Sequence, residues 1–193
     1  MINLQERTKI AIVGYNQATI TQEFYWWIGQ EFTNVEIIEP ANLIPNDDTA
    51  YIISVTKDKH ERQTLIDTLS NNALATFIHS SAIIHGNANI NQGVFIGPNV
   101  SIYFNVEIDK HSIVAPYSMV SHNTKIGTNT ILHPGVMIAG SCNIGSHCLF
   151  GMRSTIIDKI DICNNVFIGA GSLVTKNIID SGNYTGSPAR KSA

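Results

Sequence analysis

The stretch "SMVSHNTKIGTNTIL", residues 118–132, sets Val120, Ile126 and Leu132 six residues apart, with Ser118, Thr124 and Thr130 two places before them. A spacing of six fits neither the 3.6-residue turn of an α-helix nor the two-residue alternation of a flat strand. The frame extends in both directions. It runs from Ile78 through Ile84, Ile90, Ile96, Ile102, Ile108, Val114, Val120, Ile126, Leu132, Ile138, Ile144, Phe150, Ile156, Ile162 and Ile168 to Val174, and only Phe150 is not aliphatic. Two places before these residues stand small or β-branched partners, from Ala82 and Ala88 through Val94, Val100 and Val106 to Val166 and Ser172.

Such a period predicts a parallel β-helix with three flat faces, in which each hexad supplies one short strand and then turns a corner. Three hexads close a coil of 18 residues, so residues 18 apart stack on one another. Corners need a left-handed backbone, and Asn or Gly takes the third place after the aliphatic residue at Asn87, Gly93, Asn99, Asn105, Asn123, Asn129, Gly135, Asn165 and Gly171.

Residues 1–75 follow a different pattern. "KIAIV" (9–13) is a strand ending at Gly14, and "ATITQEFYWWIGQEF" (18–32) has helical spacing of Ile20, Phe24, Trp27 and Ile28. "VEIIE" (35–39) and "AYIISV" (50–55) read as further strands, and "DKHERQTLIDTLSNN" (58–72) as a helix capped by Thr56 or Asp58. Alternating strands and helices predict a small parallel α/β sheet of Rossmann-like βαβ type, followed over 76–193 by the all-β prism. A glycine closing the first strand stands where such sheets hold ligands.

With 12 Lys and Arg against 15 Asp and Glu, the net charge of −3 argues against binding nucleic acid or a membrane surface through bulk electrostatics. No apolar run reaches the length of a membrane span, and "MINLQERTKIAIVG" (1–14) lacks the order of a secretory leader. Three cysteines, Cys142, Cys148 and Cys163, form neither a disulfide framework nor a metal pattern, so a cytoplasmic protein is expected.

The hexads resemble those of the left-handed β-helix acyltransferases. With the βαβ unit, the link "TFIHSSAII" (76–84) and the closing "TKNIIDSGNYTGSPAR" (175–190), the chain is similar to the sialic-acid O-acetyltransferase and nucleotide-amino-sugar (bacillosamine-pathway) N-acetyltransferase group. The left hand is implied by the resemblance, not by the period. So is the activity, which is transfer of acetyl from acetyl-CoA to the amino group of a nucleotide-linked 4-amino-4,6-dideoxy sugar, with no metal, in a homotrimer whose cofactor groove lies between adjacent prisms.

"SHNTKIG" (121–127) falls where that family carries its catalytic histidine, which makes His122 the expected general base with Asn123 as its partner. The family commonly has an acid at the second place. An asparagine oxygen can accept a hydrogen bond from an imidazole nitrogen and fix a tautomer, but it carries no charge. The resemblance further implies an oxyanion donor at the backbone of Gly140, with room beside it for a pantetheine arm. Met152, Ala170 and Gly171 would border acetyl-CoA, and Pro188 to Arg190 would lie near its adenine; His133 is a further candidate. For the nucleotide sugar it implies the loop Gly14, Tyr15 and Asn16 and the acid Glu39. That loop lacks the family's second glycine and its histidine, having Gln17 and Ala18 instead.

Outside the resemblance, His122 is a polar corner residue, Gly14 an ordinary turn, and Cys142 and Cys148 small inward packing groups. Trp27 is expected in the core with Phe24 and Ile28, and Trp26 on the surface. Three other functions compete. A sugar O-acetyltransferase differs only in the acceptor, and a non-catalytic assembly or regulatory prism would suit the altered loop. A zinc enzyme of the γ-carbonic-anhydrase kind needs histidines closely spaced in sequence, whereas His111 and His122 stand eleven apart.

Overall fold

The computed structural model describes residues 9–56, 58–69 and 74–192. The chain forms two units, dividing between His79 and Ser80, four residues beyond the boundary drawn from composition. The N-terminal residues of "MINLQERTKIAIVG" and the "SNN" expected to end the second helix fall outside the described residues.

In the first unit, β1 (Lys9–Val13) lies between β2 (Val35–Ile38) and β3 (Thr49–Ile53), all parallel. Ile10 to Val13 are buried, as a central strand covered on both faces requires. Helix α1 (Thr19–Gly29) connects β1 to β2 and buries Thr21, Phe24 and Ile28, one stripe of the helix. Trp27 packs against Phe24 with ring centroids 5.8 Å apart, while Trp26 is exposed. Helix α2 (Lys59–Thr68) follows β3, and Asp58 caps it by accepting from the backbone N–H groups of His60 and Glu61, each at 2.9 Å. The buried Arg62 guanidinium donates to the carbonyls of Ile53 and Val55 at 2.8 and 3.1 Å, closing the end of β3. Burial lowers its pKa to about 10.

The second unit is a parallel β-solenoid. Strand pairs register with an offset of 18 residues, for example Met119 with Met137 and Val120 with Ile138. The aliphatic residues from Ile90 to Val174 form one continuous buried column, and the partners two places before them, from Val94 to Ser172, are buried as well. Ile78, the first of the series, is 39 % exposed, because the frame begins before there is a core to enter.

The inward hydroxyls satisfy the backbone of the neighbouring coil. Ser118 Oγ donates to the His133 carbonyl at 3.1 Å and accepts from the Val136 N–H at 3.2 Å, and Ser112, Thr124 and Thr130 repeat the pattern. Cys142 and Cys148 hold the same station, their thiols donating to the carbonyls of Ile157 and Cys163. Burial raises the Cys142 pKa, in keeping with a packed thiol. Ser154 Oγ is equally buried but has no partner among the described residues. Ser118→Ala therefore costs about 1–2 kcal/mol, whereas Ser154→Ala stays within about 0.5 kcal/mol of the parent, in chemical denaturation read as midpoint and slope.

Left-handed backbone recurs at the third place of the hexads, and the register imposes it on unsuited residues too. His111, Tyr117, Ser141, His147, Arg153 and Lys159 all have φ between 56° and 62°. At the corner between Ile83–Ile84 and Asn89–Ile90 the expectation for Asn87 fails, since positive φ falls on Gly86 instead. Backbone-to-backbone N–H bonds between coils come from the first, third and fifth places, as in Ala139 to Ile156, Ser141 to His122 and Met137 to Ser154; among the described residues none comes from the second, where the Ser146 N–H reaches the Asn164 side chain instead. Pro98, Pro116 and Pro134 fit at that second place because the ladder between coils needs no backbone donor there.

Candidate functional site

His122, like Gly140, occupies the second place of its hexad, so they share a corner one coil apart, about 4.8 Å. A Cβ built on Gly140 would lie 2.5 Å from His122 Cε1 and 2.6 Å from Nε2. The imidazole thus lies flat against the Gly140 backbone, and only glycine leaves it that space. The space left by the missing side chain of Gly140 is taken by the ring. The Gly140 N–H has no acceptor among the described residues, so this corner offers a free backbone donor beside an exposed imidazole.

Below the ring runs a column of asparagines at the third place of the hexads. Asn105 N–H donates to Asn87 Oδ1 at 3.0 Å, Asn87 Nδ2 donates to Asn105 Oδ1, and Asn105 Nδ2 donates to Asn123 Oδ1 at 2.9 Å. Asn123 then turns its Nδ2 to His122 Nδ1 at 3.0 Å. This corrects the expected contact: the amide nitrogen faces the ring, because Asn123 Oδ1 is already engaged by Asn105. Sequence reading counted Asn87 and Asn105 only as turn residues, although their spacing of 18 residues was the signal that they stack beneath Asn123. Phe104, one coil below His122, and Tyr103 add an aromatic group, Tyr103 stacking on His85 at 4.8 Å between centroids.

The remaining candidates lie elsewhere. Met152 and Ala170 stack on a different corner, one coil apart and both exposed, and Gly171 beside them (φ 67°) faces open space. Pro188 is exposed at the tip of the hairpin joining Gly182–Thr185 to Arg190–Lys191. A single prism therefore does not bring these residues to His122. His133 is held at the first place of its hexad, its N–H donating to the Phe150 carbonyl at 3.0 Å. His111 and His122 occupy separate corners, and among the described residues no cluster of three metal-ligating side chains occurs.

In the first unit a cleft of about 460 Å³ is lined by Tyr15, Glu39, Pro40, Leu43, Glu61 and Thr64, among others. Tyr15 donates to Glu61 Oε1, and that bond, reinforced by burial and by the neighbouring acids, raises the tyrosine pKa. Asn16 donates its backbone N–H to Glu39 at 3.4 Å. Gly14 does not line the cleft. Its N–H donates to the Ile38 carbonyl at 3.0 Å, and a Cβ there would meet Ser54 Oγ at 2.0 Å and Thr21 Oγ1 at 2.6 Å. Gly14 is small because β1, β3 and α1 converge on it. Glu61 was missed in the sequence because its station depends on the pitch of α2 against β2 and β3.

Residues 105–140, around His122, match the family described as bacterial transferase hexapeptide (six repeats). No curated protein sequence matches the chain. Solved structures match over nearly its whole length. The acetyltransferase domain of PglB from Neisseria gonorrhoeae superposes with a TM-score of 0.85 at 17 % identity, over 95 % of this chain and 98 % of that one. PerB from Caulobacter crescentus, solved with CoA and GDP-perosamine, gives 0.81 at 22 % over 96 % and 97 %. WeeI from Acinetobacter baumannii gives 0.71 at 18 % over 94 % and 98 %. At these identities the likeness is one of fold.

Proposed function

We propose that the protein is an acetyl-CoA-dependent acyltransferase acting on the amino group of a nucleotide-linked amino sugar, with His122 supplying the imidazole at the reacting centre. The observation that carries this reading is the His122–Gly140 corner, where an exposed imidazole lies against a backbone whose N–H is free to bond a developing oxyanion. The fold supports it. PglB's acetyltransferase domain has been solved with acetyl coenzyme A and PerB with CoA and GDP-perosamine, ligands that define the class of substrate expected here.

Left-handed winding and a Rossmann-like first domain belong to the same reading. So does a trimer, since Met152, Ala170, Gly171 and Pro188 can border a cofactor near His122 only if a second prism brings its own corner alongside. Tyr15 and Glu39, in the cleft with Glu61, suit ribose hydroxyls or base N–H groups, because carboxylates accept hydrogen bonds and repel a diphosphate. Acetyl transfer to a hydroxyl remains the second chemistry to test, differing only in what the acceptor must lose.

Thiol release from acetyl-CoA, followed with UDP-, dTDP- and GDP-linked amino sugars, is the direct test. One of these sugars is expected to release thiol in stoichiometry with its N-acetylated product. Failure of every nucleotide and amino sugar would leave the prism a binding or assembly unit.

A further inference from the structure

The direction of the asparagine column is set at its lower end. A backbone N–H can only donate, so the bond from Asn105 N to Asn87 Oδ1 requires the oxygen of Asn87 at that point. Asn87 must then present its nitrogen to Asn105 Oδ1, and Asn105 its nitrogen to Asn123 Oδ1. The nitrogen of Asn123 is left for His122 Nδ1. Turning any one amide over would bring two donors or two acceptors face to face.

From this we infer that the column Asn87–Asn105–Asn123 is a positioning device, which keeps neutral His122 protonated on Nε2 and thereby selects an amine as the acetyl acceptor. Nδ1, as acceptor from Asn123, carries no proton; the one proton of a neutral imidazole therefore sits on Nε2. In that form Nε2 donates a hydrogen bond and removes no proton. This rests on the acetyltransferase reading and changes what His122 does within it.

An amine that has left its ammonium proton to solvent already has a lone pair for attack. As its nitrogen bonds to the thioester carbon, the carbonyl pair moves to oxygen, where Nε2–H and the Gly140 N–H can stabilise the charge. Collapse breaks the C–S bond, and the proton on the new amide nitrogen passes to the departing thiolate, leaving amide and free thiol. A hydroxyl has to lose its proton as it attacks, and an Nε2–H imidazole cannot take it.

The test joins a spectroscopic and a kinetic measurement on the full chain labelled with ¹⁵N-histidine. Long-range ¹⁵N–¹H spectra, with His122 assigned by comparison with His122→Gln, should show the Nε2–H form in the parent. Asn123→Asp should move the proton to Nδ1, and Asn105→Gly, which keeps the left-handed corner, should give a mixture. An Nδ1–H parent, or a pattern that neither variant alters, overturns the inference whether or not the protein transfers acetyl.

With acceptors that differ only by amino or hydroxyl at one carbon, the parent should favour the amine by about 100-fold or more, and Asn123→Asp should narrow that gap about tenfold by speeding the hydroxyl. Comparable rates on both acceptors in the parent overturn it. Absence of transfer to either acceptor, with the Nε2–H form present, counts against the acetyltransferase reading and leaves the tautomer assignment standing.

Discussion

Replacing His122 by alanine lowers kcat/KM for acetyl transfer by about 10³-fold, the upper end of the loss expected when one donor to a developing oxyanion is removed, and leaves thermal stability nearly unchanged. Both parts follow from the site. The imidazole is exposed at a corner and takes no part in the buried column, so its removal opens no cavity in the core. It is the side chain that lies against the Gly140 backbone, while Asp158, stacked one coil beyond Gly140 at the same corner, repels a developing oxyanion and cannot replace it. Since uniform binding of acetyl-CoA is untouched, the loss is expected in kcat more than in KM. Steady-state kinetics with the turned-over sugar check this, and a variant retaining a third or more of parent activity would move the reacting centre away from this corner.

Gly140→Ala is expected to cost about 10²-fold in kcat while changing stability by less than about 1 kcal/mol. Gly140 has no positive φ, so its backbone accepts alanine. The new methyl carbon would stand 2.5 Å from His122 Cε1, and it meets the ring rather than backbone. An exposed ring can swing aside at little cost in stability, but displacement by about 1 Å is enough to spoil a catalytic alignment. A double-mutant cycle separates the two effects. In the His122→Ala background the space above Gly140 is empty, and Gly140→Ala should there be neutral or stabilising by about 0.5 kcal/mol, through loss of chain entropy in the unfolded state. If Gly140→Ala destabilises equally in both backgrounds, the glycine serves the backbone and not the imidazole.

How much of this was legible in the chain differs between its halves. In the prism the inward column, its small partners and most of the left-handed corners follow from a side-chain frame that repeats without a slip. Tyr117 and Arg153 were invisible as left-handed residues, because their type argues against it and only the stacking of coils compels it. In the first unit the strands and the Asp58 cap were readable from local pattern. Gly14 was read as a ligand loop because a glycine closing a strand looks alike whether it admits a phosphate or a neighbouring Ser54 and Thr21. Glu61 drew no notice, since nothing within α2 says that it shares a cleft with Tyr15 and Glu39.

Sequence alone determined the three-faced coil and the 18-residue stacking, and with them the pairing of His122 with Gly140 and of Asn123 with Asn105 and Asn87. Periodic burial is a property of composition along the chain, and it is insensitive to where any one side chain points. Which way each amide faces, and that the His122 ring fills the space a side chain at Gly140 would need, were decided only by the tertiary structure. Those choices depend on the hydrogen-bonding sense of groups in adjacent coils, and a single backbone N–H at Asn105 fixes the amide of Asn87, which passes its polarity through the amides of Asn105 and Asn123 to the imidazole.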